Sequence, residues 1–117
     1  MTALEKLAQA LFPDATHTPE DYEALYPPRT LKEGARVTRI APSPTGYLHL
    51  GVLFTATINR LTAKATDGVF YFRLEDTDKK REVKGGAEDI LDGLNTYGVT
   101  IDEGFVAPGE IRGAYGP

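Results

Sequence analysis

The chain has 117 residues, 41% hydrophobic and 26% charged, with 17 acidic against 13 basic side chains and a formal net charge of −4. That is the size of one ordinary domain, able to bury roughly two-thirds of its unfolded surface without disulfide or metal staples. There is no cysteine, which excludes disulfides, thiolate nucleophiles and cysteine-based zinc sites together. No run approaches the roughly 18 apolar residues of a membrane span. The N-terminus, with acidic Glu5, has no cleavage signal, so a soluble, cytoplasmic chain without a membrane partner is expected.

The charge is uneven. Residues 1–36 hold four basic and six acidic side chains, residues 37–81 seven and four, and residues 82–117 two and seven. An anionic ligand would meet the chain in its middle third, although an excess this small is also ordinary fluctuation.

Leu4, Leu7, Ala8 and Leu11 fall at i, i+3, i+4 and i+7, the spacing of one apolar helix face, and Pro13 ends that helix. Thr18-Pro19-Glu20-Asp21 reads as an N-cap, a proline in the first turn and two acids, all favourable to a second helix start. Pro27-Pro28 stops it. These two helices form an N-terminal appendage, residues 1–36, and Leu31 to Gly34, after the second helix, is a polar link.

Val37 to Ala41 is a strand candidate, closed by Pro42-Ser43-Pro44-Thr45-Gly46, where the prolines and glycine oppose both helix and ladder. Leu50, Phe54, Ile58, Leu61 and Ala65 then recur at near-helical spacing and predict a helix stopped by Gly68. Val69 to Leu74 is rich in β-branched and aromatic residues and predicts a strand buried on both faces, as in a parallel sheet. After an acidic turn, Ala87, Ile90, Leu91, Leu94 and Tyr97 mark an amphipathic helix ending at Gly98. Beyond Gly98 no regular element is legible. The order from residue 37 is β-α-β-α, an α/β fold with a right-handed parallel crossover.

In an open parallel sheet, ligands bind at the carboxyl ends of the strands, where the following helices present unpaired N–H groups. Both unusual clusters fall at such ends. The first is a rigid turn opening a helix with the imidazole of His49, a donor suited to a phosphate that gains charge in a transition state. The second places Glu75, Asp76 and Asp78 within four residues, a set that could take an ammonium group or a magnesium-type cation. Taken singly, each has an ordinary reading: a capping histidine, an acidic lead-in to a helix, and, for Lys79-Lys80-Arg81, a solvated edge.

The combination is far more specific. Arg39-Ile40-Ala41-Pro42-Ser43-Pro44-Thr45-Gly46-Tyr47-Leu48-His49-Leu50-Gly51, followed 21 residues after Gly51 by Phe72-Arg73-Leu74-Glu75-Asp76-Thr77-Asp78, closely resembles the start of the catalytic domain of bacterial-type glutamyl-tRNA synthetases, class I aminoacyl-tRNA synthetases. The resemblance covers residue 37 to about 117. It implies a partial Rossmann-like parallel sheet, ATP with Mg²⁺, L-glutamate and tRNA(Glu) as reactants, and a two-step reaction. Glutamate first attacks the α-phosphate of ATP, and the glutamyl group then passes to the terminal ribose of tRNA.

By position, Arg39, Ala41 and Ser43 resemble the family's first glutamate-binding segment, and a guanidinium fork suits a carboxylate. Glu75 resembles the carboxylate that receives the substrate's amino group. Residues 42–52 correspond to the class I ATP signature, including Pro42, Thr45, Gly46, His49 and Gly51, with His49 the catalytic position. Val52 stands where the signature has its final histidine, as in many glutamyl enzymes. No protein metal site is implied.

The family's second, lysine-rich ATP loop and its anticodon-binding region are absent, so residues 37–117 are expected to be the first part of a longer catalytic domain. With two legible strands, fewer than the three or more that independent stability requires, the chain alone is expected to be an inactive nucleotide-binding module. A shorter paralogue that attaches glutamate to a modified base of tRNA(Asp) shares both motifs. The appendage is atypical of either enzyme.

Overall fold

The computed structural model of the chain describes residues 1–75 and 79–113. It divides into two compact units, residues 1–29 and a second from Thr30 onward.

In the first unit, α1 spans Ala3–Leu11 and α2 spans Pro19–Leu25. Each opens with a reciprocal capping box. Thr2 accepts from the Glu5 N–H and Thr18 from the Asp21 N–H, while the two carboxylates reach back to the cap N–H groups. These devices satisfy donors that a short helix otherwise leaves to water. Neither helix buries a residue, and the apolar face of α1 lies exposed.

The second unit is a four-stranded sheet with two long helices. β1 (Val37–Ile40) pairs in parallel with β2 (Val69–Phe72), β2 in parallel with β3 (Glu103–Ala107), and β3 antiparallel with β4 (Glu110–Arg112), in the order β1-β2-β3-β4. The helices α3 (Leu50–Ala65) and α4 (Gly86–Thr96) are the two crossovers. This is the Rossmann-like α/β arrangement expected from the sequence, and it extends further than expected: β3 and β4 occupy the stretch where no element was legible. The missed signal is Ala107-Pro108-Gly109-Glu110, a turn whose glycine, at φ 75°, lets Ala107 pair with Glu110.

Ile40, Phe70 and Phe72 form one buried cluster with Ala56 and Ala63 of α3, Ile90 and Leu94 of α4, and Val99. Register pairs Ile40 with Phe72 and Val37 with Val69, so the two helices cover one face of the sheet. On the other face Val69 and Tyr71 are only half-buried and Val37 is exposed. The expectation that β2 is buried on both faces holds for one face alone.

The apolar spacing in α3 also needs correction. The helix forms where expected, but Leu50, Phe54, Ile58 and Leu61 stay exposed, Leu50 at 79% and Phe54 at 65%. The side turned to the sheet carries Leu53, Ala56 and Ala63. Small side chains there let the helix approach the strands closely, and the Thr38 hydroxyl donates to the Asn59 carbonyl at 2.8 Å.

Gly68 likewise has a different role from the one expected. Asp67, at φ 53°, is the left-handed residue that ends α3, with the Gly68 N–H bonded back to the Ala63 carbonyl at 2.8 Å. Glycine is required at 68 because a Cβ would run into the Arg36 carbonyl. Gly98, at φ 74°, does end α4 as expected, and Val99 bonds back to Leu94.

Candidate active site

The segment after β1 is held by its carbonyls. Ile40, Pro42 and Pro44 accept from the N–H groups of Arg73, Glu75 and Val83 at 2.9, 3.0 and 2.8 Å. Prolines supply no donor but their carbonyls still accept, so the loop continues the ladder toward β2, contrary to the expectation that prolines oppose pairing there. Pro42 and Pro44 are buried; Ala41, Ser43, Thr45 and Gly46 are half-buried. The loop is therefore fixed before His49 opens α3.

His49 is the N-cap of α3 in extended conformation, and its side chain makes no capping hydrogen bond. The first-turn N–H groups of α3 consequently keep their capacity for an anion, reinforced by the positive end of the helix dipole. A Cβ at Gly51 would stand 3.3 Å from His49 Nδ1, so glycine there leaves room for the imidazole.

Arg39, Ile40, Ala41 and Pro42 from the first strand and loop, with His49, Gly51, Val52 and Thr55 from α3, border an open pocket of about 330 Å³. Arg39 and Ile40 lie on opposite faces of the sheet by register; their sharing one pocket places it at the uncovered edge of β1. Among the described residues no carboxylate pairs with Arg39. Six of the residues singled out in the sequence thus meet in one cavity: Arg39, Ala41, Pro42, His49, Gly51 and Val52.

Ser43, Thr45, Gly46 and Glu75 are not on its wall. The Ser43 carbonyl accepts from the Thr45 N–H at 2.8 Å, a bond internal to the turn. Glu75 is bound beside Pro42 through its backbone, and its carboxylate pairs with Arg73 Nε at 3.2 Å. Arg73 is 61% exposed there and Glu75 24%, so the pair is screened by solvent on the arginine side. Asp76 and Asp78 lie outside the described residues. Sequence reasoning did not single out Ile40 and Thr55 as pocket wall; their signal was helical and strand position relative to Arg39 and His49.

A second hollow, of about 580 Å³, lies in the N-terminal unit against Glu5, Ala8 and Phe12. Its one charged side chain, Glu5, is already committed to the capping box, so it has the volume of a ligand site without the convergent polar groups. Among the described residues no three His, Asp or Glu side chains converge. They offer no cage for Mg²⁺, which accompanies ATP chiefly through phosphate oxygens.

Residues 36–114 match the model of the tRNA synthetases class I (E and Q) catalytic domain. The chain belongs to this family. It is 50% identical over 115 residues to a glutamate–tRNA ligase of Clostridium beijerinckii, an alignment covering 98% of this chain and 21% of the relative. A glutamate–tRNA ligase of Clostridium perfringens is 47% identical over 97% of this chain and 21% of its own length. A crystal structure of a glutamate tRNA ligase from Elizabethkingia meningosepticum, in complex with its amino acid, superposes with a TM-score of 0.62 at 43% identity, over 71% of this chain and 16% of that one.

The chain therefore spans about a fifth of the curated relatives it matches. The clostridial alignments take in nearly all of it and so include the N-terminal helices, whereas the family model begins at residue 36. Among the described residues no helix is long and apolar enough to cross a membrane.

Proposed function

We propose that this chain carries the first part of the active site of a glutamate–tRNA ligase, a cytoplasmic enzyme that activates L-glutamate with ATP and transfers it to tRNA(Glu). One observation carries the reading: Arg39, a guanidinium with no carboxylate partner among the described residues, and His49, an imidazole at a helix N-terminus without a side-chain cap, border a single pocket.

The two ends of that pocket suit the two reactants. Arg39 pairs with a glutamate carboxylate through a fork of parallel N–H donors. Ala41 and Ser43 line the extended backbone beside it, and Glu75 receives the α-ammonium. His49 donates to a phosphate oxygen of ATP, and the N–H groups at the start of α3 face the same charge. Pro42, Thr45, Gly46 and Gly51 shape the backbone around the nucleotide.

Activation joins a glutamate carboxylate oxygen to the α-phosphorus as the bond to pyrophosphate breaks. The 3′-terminal ribose hydroxyl of tRNA then takes the glutamyl group and AMP leaves. No protein nucleophile takes part in either step, so alignment and stabilisation of charge on the α-phosphate supply the catalysis. That demand fits a rigid proline-bearing loop and a fixed helix N-terminus.

The test is ATP–pyrophosphate exchange and tRNA charging by a full-length polypeptide that carries this chain. Exchange should depend on L-glutamate and be supported by tRNA(Glu). Exchange driven by glutamine instead, or none with either amino acid, would overturn the reading. The glutamate–tRNA ligase names of the relatives favour it over the base-modifying paralogue.

A further inference from the structure

Gly86 and Gly93 stand seven residues apart on α4, and hence on one side of the helix. Both lie hard against the loop that leads to His49. A Cβ at Gly86 would be 2.9 Å from the Pro44 carbonyl oxygen; one at Gly93 would be 2.8 Å from Cδ2 and 3.1 Å from Cβ of Leu48.

Inside a helix, propensity alone favours alanine over glycine, and Gly93 has no left-handed backbone that calls for glycine. What glycine provides at 93 is room for Leu48. Leu48 packs against the buried cluster, while the next residue, His49, is exposed and its side chain has no hydrogen bond among the described residues to hold it. The position of the imidazole is thus inherited from the backbone that Leu48 anchors.

We propose that Gly93 is a positioning residue for His49: by admitting Leu48 against α4 it fixes the chain immediately before the imidazole and aims that ring at the pocket. The inference rests on the reading of His49 as the phosphate contact. It extends the site to a helix that does not border the pocket.

The test is a double-mutant cycle of Gly93→Ala and Leu48→Ala in a full-length polypeptide carrying this chain, read by ATP–pyrophosphate exchange. Each single variant should lower kcat/KM for ATP by about tenfold and change the KM for glutamate by less than about twofold. In the Leu48→Ala background, adding Gly93→Ala should cost less than about twofold more, because the 2.8 Å clash with Cδ2 is gone and only the 3.1 Å approach to Cβ remains. Leu48→Ala adds no atom, so it reports on the anchor even if Gly93→Ala fails to fold. Losses that multiply in the double variant, a KM for glutamate that rises by as much as the ATP parameter falls, or an ATP parameter that does not move would each overturn the proposal.

A second readout is independent of activity. The ring resonances of His49, assigned through His49→Gln, should shift in Gly93→Ala while those of His17 stay in place. An unchanged His49 signal would overturn the coupling. If the unaltered polypeptide shows no glutamate-dependent exchange, the functional reading fails, and the His49 resonance still decides whether Gly93 positions that ring.

Discussion

The guanidinium of Arg60 lies 3.0 Å from the carboxylate of Asp102, 42 residues further along the chain, and the same carboxylate accepts from the Phe70 N–H at 2.9 Å. One aspartate thereby ties α3 to the start of β2, in a partly buried setting. Asp102→Ala leaves both partners unsatisfied and should lower stability by about 2 kcal/mol; Asp102→Asn, which keeps an acceptor, should cost less. Urea unfolding followed by tyrosine fluorescence measures this, since the chain has no tryptophan. Equal losses for the two variants would assign the effect to the ion pair rather than to the bond with Phe70.

Gly104 combines a left-handed backbone, φ 85°, with a close approach in which a Cβ would collide with the Phe72 carbonyl. Gly104→Ala therefore strains the backbone and pushes β3 from β2. A loss of about 3 kcal/mol is expected, larger than for Gly109→Ala, where the space is open. A midpoint of unfolding lowered equally by both would show that backbone conformation alone sets the cost.

The exposed stripe Leu50, Phe54, Ile58 and Leu61 makes the 117-residue chain prone to self-association, because contiguous apolar surface of this kind is rare on monomers. Phe54→Lys with Ile58→Lys should reduce both dye binding and light scattering while leaving helix content unchanged. Scattering that persists would locate the sticky surface elsewhere.

On the proposed role of Arg39 as the carboxylate contact, Arg39→Ala should raise the KM for glutamate on the order of a hundredfold, equivalent to about 2–3 kcal/mol. His49→Ala should instead lower the rate of adenylate formation by about 10²-fold, the scale of one lost donor to developing charge. Single-turnover measurements separate the two. Identical effects on binding and rate would contradict the division of roles.

Gly51→Ala introduces a Cβ 3.3 Å from His49 Nδ1. The ring must give by a few tenths of an ångström, so this variant should slow adenylate formation in the same direction as His49→Ala but by less, with an intact melting curve because Gly51 is at an exposed helix start. A fall in melting temperature matching the fall in rate would make the residue structural instead.

The sequence by itself determined the local elements whose signals are short-range. The first helix ended before Pro13, the capped helix start at Thr18, the end of α4 at Gly98 and the start of β2 depend on neighbouring residues, and the structure bears them out. It also placed Arg39 and His49 at the carboxyl end of the first strand. Only the tertiary structure decided which side of α3 faces the sheet, because that helix has two apolar sides and the small residues Ala56 and Ala63 permit the closer approach. Only it joined Asp102 to Arg60 and Gly93 to Leu48, contacts across more than 40 residues that no periodicity records. β3, broken by Gly104 and led by acids, is a strand because Phe72 and Tyr71 offer it a ladder; pairing, rather than propensity, supplies its stability.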